Sequence, residues 1–190
     1  AQAAAGGLKP GAIFVDLNSV SPGQKIASAA IIEAAGGRYV EAAVMSPFPP
    51  RGIASPMLLG GPHAQAFLDA FGGLGFSGAK VFSPLLGQAS AAKMCRSVMI
   101  KGIEALVTES MLSARRYGVD GAVLASLGDL LPLPDWTATA RYMISRSLEH
   151  GVRRAEEMDE VAQTVREAGL DPLMSRAAAD ASEWVFAGHE

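Results

Sequence analysis

Three groups of side chains have the types and spacing to do chemistry. The first is Lys93, Arg96 and Ser97, which fall at i, i+3 and i+4 of a helix-periodic stretch and so share one face. A lysine in the first turns of a mostly apolar helix meets the positive end of the helix dipole and loses water, and both effects disfavour the ammonium form. Such an amine can exchange protons near neutral pH, beside an arginine to bind an anion and a hydroxyl to orient it. The competing reading is a solvated polar edge. The second group is Asn18 and Ser19 in Asp16-Leu-Asn-Ser-Val-Ser-Pro22, at the C-terminal end of a short β-type run, where open α/β sheets bind ligands. There the alternative is that Ser19 or Ser21 only caps the following helix. The third is His150, Arg153 and Arg154 within about one helical turn, able to reach a carboxylate or phosphate, or else to pair with Glu156 and Glu157 on a surface.

Other patterns exclude chemistry. Gly73-Leu-Gly75-Phe-Ser-Gly78 matches the dinucleotide fingerprint literally, yet it follows a helix pattern and leads into a strand pattern. The fingerprint works only between a strand and a helix whose N-terminus holds the pyrophosphate, so a turn is predicted here. Asp69, Glu104 and Glu109 are dispersed and no G-x-S-x-G occurs, so paired-carboxylate and serine-triad hydrolysis lack support. The single cysteine, Cys95, cannot form an internal disulfide, and metal-ligand spacing of Cys and His is absent. With 16 basic and 19 acidic side chains the net charge is −3, which argues against nucleic acid and anionic membranes as partners. No apolar run approaches the roughly 20 residues of a span, and the alanine-rich start lacks a signal-peptide pattern, so a soluble cytoplasmic protein is expected.

The elements that must position these groups divide by charge. Residues 1–88 carry 5 basic and 4 acidic side chains, whereas 89–190 carry 11 and 15, and Pro and Gly thin out after Gly87. A domain boundary is expected near residue 88. Strand signals cover Ile13–Leu17, Arg38–Val44, Pro56–Leu59 and Ala79–Phe82, and helix signals run from Ser21-Pro22 to Gly36-Gly37 and from His63 to Phe71. Alternating strands and helices imply a layered α/β sheet, and strands so poor in charge imply helices on both faces. From 89 on the pattern is all helix: Ala89–Tyr117, then about 120–131, about 135–168 with a break near Gly151, and about 172–187. The first of these is apolar around most of its circumference, which predicts burial in a core or a homodimer interface.

In order along the chain, Asp16-Leu-Asn-Ser-Val-Ser-Pro22, Tyr39-Val-Glu-Ala-Ala-Val-Met-Ser46, Met57-Leu-Leu-Gly-Gly61 and Gly87-Gln-Ala-Ser-Ala-Ala-Lys93 resemble the β-hydroxyacid dehydrogenase family. This family includes 3-hydroxyisobutyrate dehydrogenase and relatives of 6-phosphogluconate dehydrogenase. His150-Gly-x-Arg-Arg-Ala-x-Glu-Met158 resembles a subgroup with its own C-terminal helical domain. The resemblance spans most of the chain. It implies an α/β Rossmann part over 1–88, then an all-α substrate and dimerisation domain over 89–190. It also implies NAD or NADP as cofactor, and a small anionic hydroxy-carboxylate as substrate. Lys93 matches the family's general acid/base, and Asn18 and Ser19 match its strand end beside the nicotinamide and substrate.

The chain departs from the family pattern in three places. Met45-Ser46-Pro47 stands where the family has Ser-Gly-Gly, leaving Ser46 as the nearest hydroxyl, since proline has no N–H. Arg96 and Ser97 replace a pair of asparagines, and His150 falls near a lysine of the family. An arginine there can hold a carboxylate bidentately, so a more cationic pocket is expected. The first βαβ unit with its Gly-rich loop is missing, and the expectation is a fragment of a dehydrogenase. The alternative is a non-catalytic helical dimerisation or binding module that keeps the scaffold.

Overall fold

The computed structural model describes residues 1–186. It divides into two compact units, one of Ala1–Arg96 with Gln163–Leu170, the other of Ser97–Ala162 with Asp171–Glu190.

The first unit is a four-stranded sheet with helices. Its elements are α1 (Gln2–Ala5), β1 (Ile13–Asp16), α2 (Pro22–Ala34), β2 (Arg38–Val44), β3 (Met57–Gly60), α3 (Ala64–Phe71), β4 (Ala79–Ser83) and the head of α4 (Gln88–Arg116). The strands lie in the order β1-β2-β3-β4. β1 and β2 pair in parallel across α2, β2 and β3 pair antiparallel, and β3 and β4 pair in parallel across α3. The antiparallel step follows from chain length: no helix separates Val44 from Met57, and parallel neighbours need a crossover of a dozen or more residues, usually helical.

Pro22 at the first position of α2, with Ser21 as its cap, starts that helix, and Gly36 at φ +80° follows its end. On β2, successive side chains alternate between faces. Val40 and Ala42 pack with Leu59, Ala64 and Phe67 against α3, whereas Tyr39 packs with Ala29 and Ile32 of α2. Helices therefore cover both faces of the sheet at β2, which is why the strand's inner residues carry no exposed surface. Glu41 lies on the Tyr39 face and is fully buried.

The second unit is helical: the rest of α4, α5 (Asp120–Leu130), α6 (Trp136–Glu167) up to Ala162, and α7 (Leu173–Phe186). α6 is two helices joined at His150, whose φ of −132° is non-helical. The break falls one residue before the glycine that signalled it. The expected last position of α7, residue 187, lies outside the described residues.

Met111, Ala114 and Ala140 form an apolar core with Val107, Val123, Leu124, Leu127 and Ile144. Charges are buried beside it. Arg154 of α6 pairs with Glu104 of α4, both nearly inaccessible, and the partly exposed Lys101 and Glu157 pair beside them. Thr108 and Ser147 hydrogen-bond at 3.1 Å. Arg154 thus belongs to a buried pair with Glu104 rather than to a pocket or an arginine-rich surface. Among the described residues no helix is long and apolar enough to cross a membrane.

Candidate active site

Lys93 and Ser19 meet. Lys93 sits in the second turn of α4, and its Nζ donates to Ser19 Oγ at 2.6 Å, across 74 residues of sequence. Ser19 therefore faces the lysine and does not cap α2; that cap is Ser21, whose Oγ accepts from Gln24 N at 3.4 Å. Asn18, just before, donates from its backbone N at 2.9 Å and from Nδ2 at 2.8 Å to Asp16 Oδ1. This turn exposes Asn18 and Ser19 at the C-terminal end of β1.

Arg96 is one turn beyond Lys93. Its Nη1 donates to the carbonyl oxygen of Met45 at 2.9 Å, tying α4 to the loop after β2 in which Ser46 sits. Ser46 Oγ donates to Pro47 O at 3.2 Å. The structure thus brings Ser46 and Arg96 to a common loop and Lys93 to Ser19. Ser97 follows Arg96 on α4, half-buried. His150 belongs to the second unit, half-buried at the break in α6, with Nε2 4.0 Å from Glu149 Oε2. The glycines Gly73, Gly75 and Gly78 form a turn into β4. Gly75 needs its positive φ of +110°, and a Cβ on Gly78 would lie 2.4 Å from the Ala54 carbonyl oxygen, so these two glycines serve the turn and its backbone packing.

Sequence reasoning missed the charges beneath this edge. Asp16, Lys25, Tyr39 and Glu41 are all buried, the last two completely. Lys25 Nζ lies 3.2 Å from Asp16 Oδ1 and donates to the Asp16 backbone oxygen at 2.9 Å. Tyr39 donates to Asp16 Oδ2 at 2.5 Å. Glu41 accepts the backbone N–H of Gly87 at 2.6 Å and that of Ser90, and Ser90 Oγ donates to Val20 O.

Burial alone would raise the Asp16 carboxyl, but the donors Tyr39, Asn18 and Lys25 outweigh it and hold it below the usual carboxylate range. Burial pushes Lys25 down despite Asp16 and Glu41, and pushes the Tyr39 phenol up, reinforced by Asp16. Glu41 is raised by burial, which the amides of Ser90 and Gly87 and the charge of Lys25 only partly offset. A signal existed: a lone carboxylate inside Tyr39-Val-Glu-Ala-Ala-Val44, a strand expected to be covered on both faces, must have buried donors.

A model of a domain of unknown function (DUF1932) matches residues 114–185. No protein of curated function matches the chain. A conserved hypothetical protein from Sinorhizobium meliloti shares 41% identity at a TM-score of 0.83, over 94% of this chain and 59% of its own. The conserved protein MTH1747, of unknown function but reported to be structurally similar to 3-hydroxyacid dehydrogenases, shares 31% at 0.78, over 91% of this chain and 65% of its own. The 3-hydroxyisobutyrate dehydrogenase of Salmonella typhimurium shares the fold, at 17% identity and a TM-score of 0.71 over 97% of this chain and 67% of its own. The chain spans about three fifths of the length of the first two relatives. With the α/β sheet, the helical unit and the DUF1932 match in the expected order, the chain has the fold of its 3-hydroxyisobutyrate dehydrogenase-like structural neighbours.

Proposed function

We propose that the protein is an NAD(P)-dependent oxidoreductase acting on the hydroxyl of a small anionic hydroxy-carboxylate, with Lys93 as general acid/base. The observation that carries this reading is the 2.6 Å approach of Lys93 Nζ to Ser19 Oγ at the C-terminal end of β1, where α/β sheets bind their ligands. In oxidation the neutral Lys93 amine takes the hydroxyl proton, while the carbinol hydrogen leaves with its electron pair as hydride and the carbon becomes a carbonyl. The resulting ammonium has its acceptor ready in Ser19 Oγ. General catalysis of this kind contributes roughly a hundred- to ten-thousand-fold. Ser19, Ser46 and Ser97 supply hydroxyls to orient the substrate, and Arg96 supplies a positive charge at the loop edge. His150 is assigned to substrate binding by its place in the resemblance.

A nicotinamide cofactor supplies the hydride acceptor. The residues present fit one end of it: Asn18 and Ser19 are exposed on the strand-end turn, with the Asn18 amide anchored through Nδ2 on Asp16 Oδ1. The glycines of residues 73–78 do not fit the pyrophosphate, because they lead into a strand. A second copy of the chain is the assigned partner, covering the apolar face that α4 leaves exposed at Met99 (62%), Ile100 (49%) and Leu106 (56%).

A second reading is a non-catalytic binding or dimerisation module. It is favoured by the Met45 loop, whose carbonyl is already taken by Arg96 and whose Pro47 offers no N–H. One experiment separates the two. In the whole protein, assayed with a panel of small hydroxy acids and both nicotinamide cofactors, Lys93→Met is expected to abolish turnover while preserving the fold and cofactor binding. Near-normal turnover by that variant overturns the assignment of Lys93, and a wild type inert on every acid favours the binding module.

A further inference from the structure

We propose that Glu41 is a positioning residue for Lys93, acting through the head of α4. The proposal rests on the proton-transfer role given to Lys93 above, and it assigns a task to the fully buried carboxylate that the mechanism leaves unused.

The first turn of any helix presents N–H groups with no partner inside the helix. In most helices the residue before the first turn supplies a side-chain oxygen to one of them. At α4 that residue is Gly87, which has no side chain, adopts φ +86°, and packs so closely on Pro22 that a Cβ would lie 3.2 Å from the proline Cβ. The missing cap comes from the neighbouring strand. Glu41, on β2, receives the N–H of Gly87 on Oε2 at 2.6 Å and the N–H of Ser90 on Oε1. One carboxylate thus ties both ends of the first turn to the middle of the sheet.

A second tie completes the placement. Ser90 donates its hydroxyl to the carbonyl oxygen of Val20, the residue after Ser19. Lys93 lies three residues beyond Ser90, and its Nζ reaches Ser19. The loop and the helix turn that carry the Lys93–Ser19 pair are therefore both referred to the strand through Ser90 and Glu41. The space for Glu41 is made by Gly60 on β3, where a Cβ would lie 2.7 Å from Glu41 Oε2. Facing Glu41 from the other elements are Lys25 of α2, Asp16 of β1 and Tyr39 of its own strand. Burying a carboxylate completely is costly unless its partners are fixed, so this arrangement specifies one position for the helix head.

The test uses the whole protein. Glu41→Gln keeps the side-chain shape but retains one acceptor oxygen and turns an NH2 group toward a backbone N–H. Gly60→Ala keeps the carboxylate and displaces it. Each variant is labelled with acetic anhydride over a range of pH, with acetylation of Lys93 read by mass spectrometry, and is assayed for kcat and KM beside a melting curve. Both variants are expected to move the midpoint of the Lys93 labelling curve and to lower kcat by about tenfold to a hundredfold, with KM changed by less than about threefold. A purely structural role predicts a lower melting temperature with the labelling curve of the folded protein unmoved, and that result overturns the proposal. If Glu41→Gln does not fold, Gly60→Ala decides alone. If the wild type transfers no hydride, the oxidoreductase reading fails while the labelling curves still decide whether Glu41 positions Lys93.

Discussion

The two units bury charge in different ways. In the sheet unit the buried ions hold backbone as well as each other: Lys25 pairs with the Asp16 carboxylate and also donates to the Asp16 carbonyl, and Glu41 accepts the amides of Gly87 and Ser90. In the helical unit charges hold only one another: the buried Arg154 meets Glu104 and the partly exposed Lys101 meets Glu157, side chain to side chain between α4 and α6. The difference follows from what each fold leaves unsatisfied. A sheet ends in loops and helix heads whose N–H and C=O groups need partners, whereas two packed helices have already satisfied their backbones. Charges in the first case fix where the chain turns, and turns are where the Lys93 site lies. Charges in the second fix the register of one helix against another.

This comparison breaks most visibly at Arg154. A buried pair stripped of one partner leaves an unpaired charge, so Arg154→Met is expected to cost about 3 to 5 kcal/mol, read by denaturant unfolding. Joining it with Glu104→Met removes both charges and should recover most of that loss. If the double variant is as unstable as the single one, the pair does more than match itself, and the contrast with the backbone-holding ions fails.

The sheet cluster should show itself in pH dependence. The Asp16 carboxyl is held low in the folded protein against about 3.9 in an unfolded chain, so between the two values the unfolded state binds more protons and stability rises with pH. Its contribution is complete above the unfolded value and is lost as pH falls through the folded one. Glu41, raised by burial, has the opposite sign: its contribution is complete below the unfolded value and declines as pH rises through the folded one. Asp16→Asn is expected to cost about 1 to 3 kcal/mol at neutral pH and to flatten the acid limb of a melting-temperature profile. An acid limb as steep as that of the wild type would place the titration elsewhere, with Glu157 of the helical unit, also held low, as the next carboxylate to replace.

Much of this was legible in the sequence because punctuation is local. Ser21-Pro22 and Gly36-Gly37 bracket α2, short β-branched and aromatic runs mark the strands, and the break in α6 announced itself by Gly151. The Lys93 grouping was legible from spacing and Ser19 from its place at a strand end, and the two do meet. What could not be read were partners set by long-range packing. Lys25 looks like the polar face of α2, and only the fold shows it buried over Asp16. Arg154 looks like a surface arginine beside Glu156 and Glu157, and its partner lies 50 residues away in the chain. The antiparallel step between β2 and β3 was readable from the lack of an intervening helix, a length argument that periodicity does not make.

The smallest expected effect on stability sharpens the comparison most. Arg96 is exposed and makes one hydrogen bond, to the carbonyl of Met45, so it is a charge that holds backbone in the manner of the sheet unit but without burial. Water can replace that bond, and Arg96→Ala should change unfolding free energy by about 0.5 to 1 kcal/mol at most. A larger loss would mean that the Met45 loop depends on it structurally. The proposed role in anion binding predicts the reverse weighting: kcat/KM for the hydroxy acid should fall by more than about tenfold, a cost typical of truncating a charged group that contacts its ligand. A change of less than about twofold would leave Arg96 as a loop tie only. The two measurements together separate a charge kept for the fold from one kept for the site, because burial, which makes Arg154 costly to lose, is absent at Arg96.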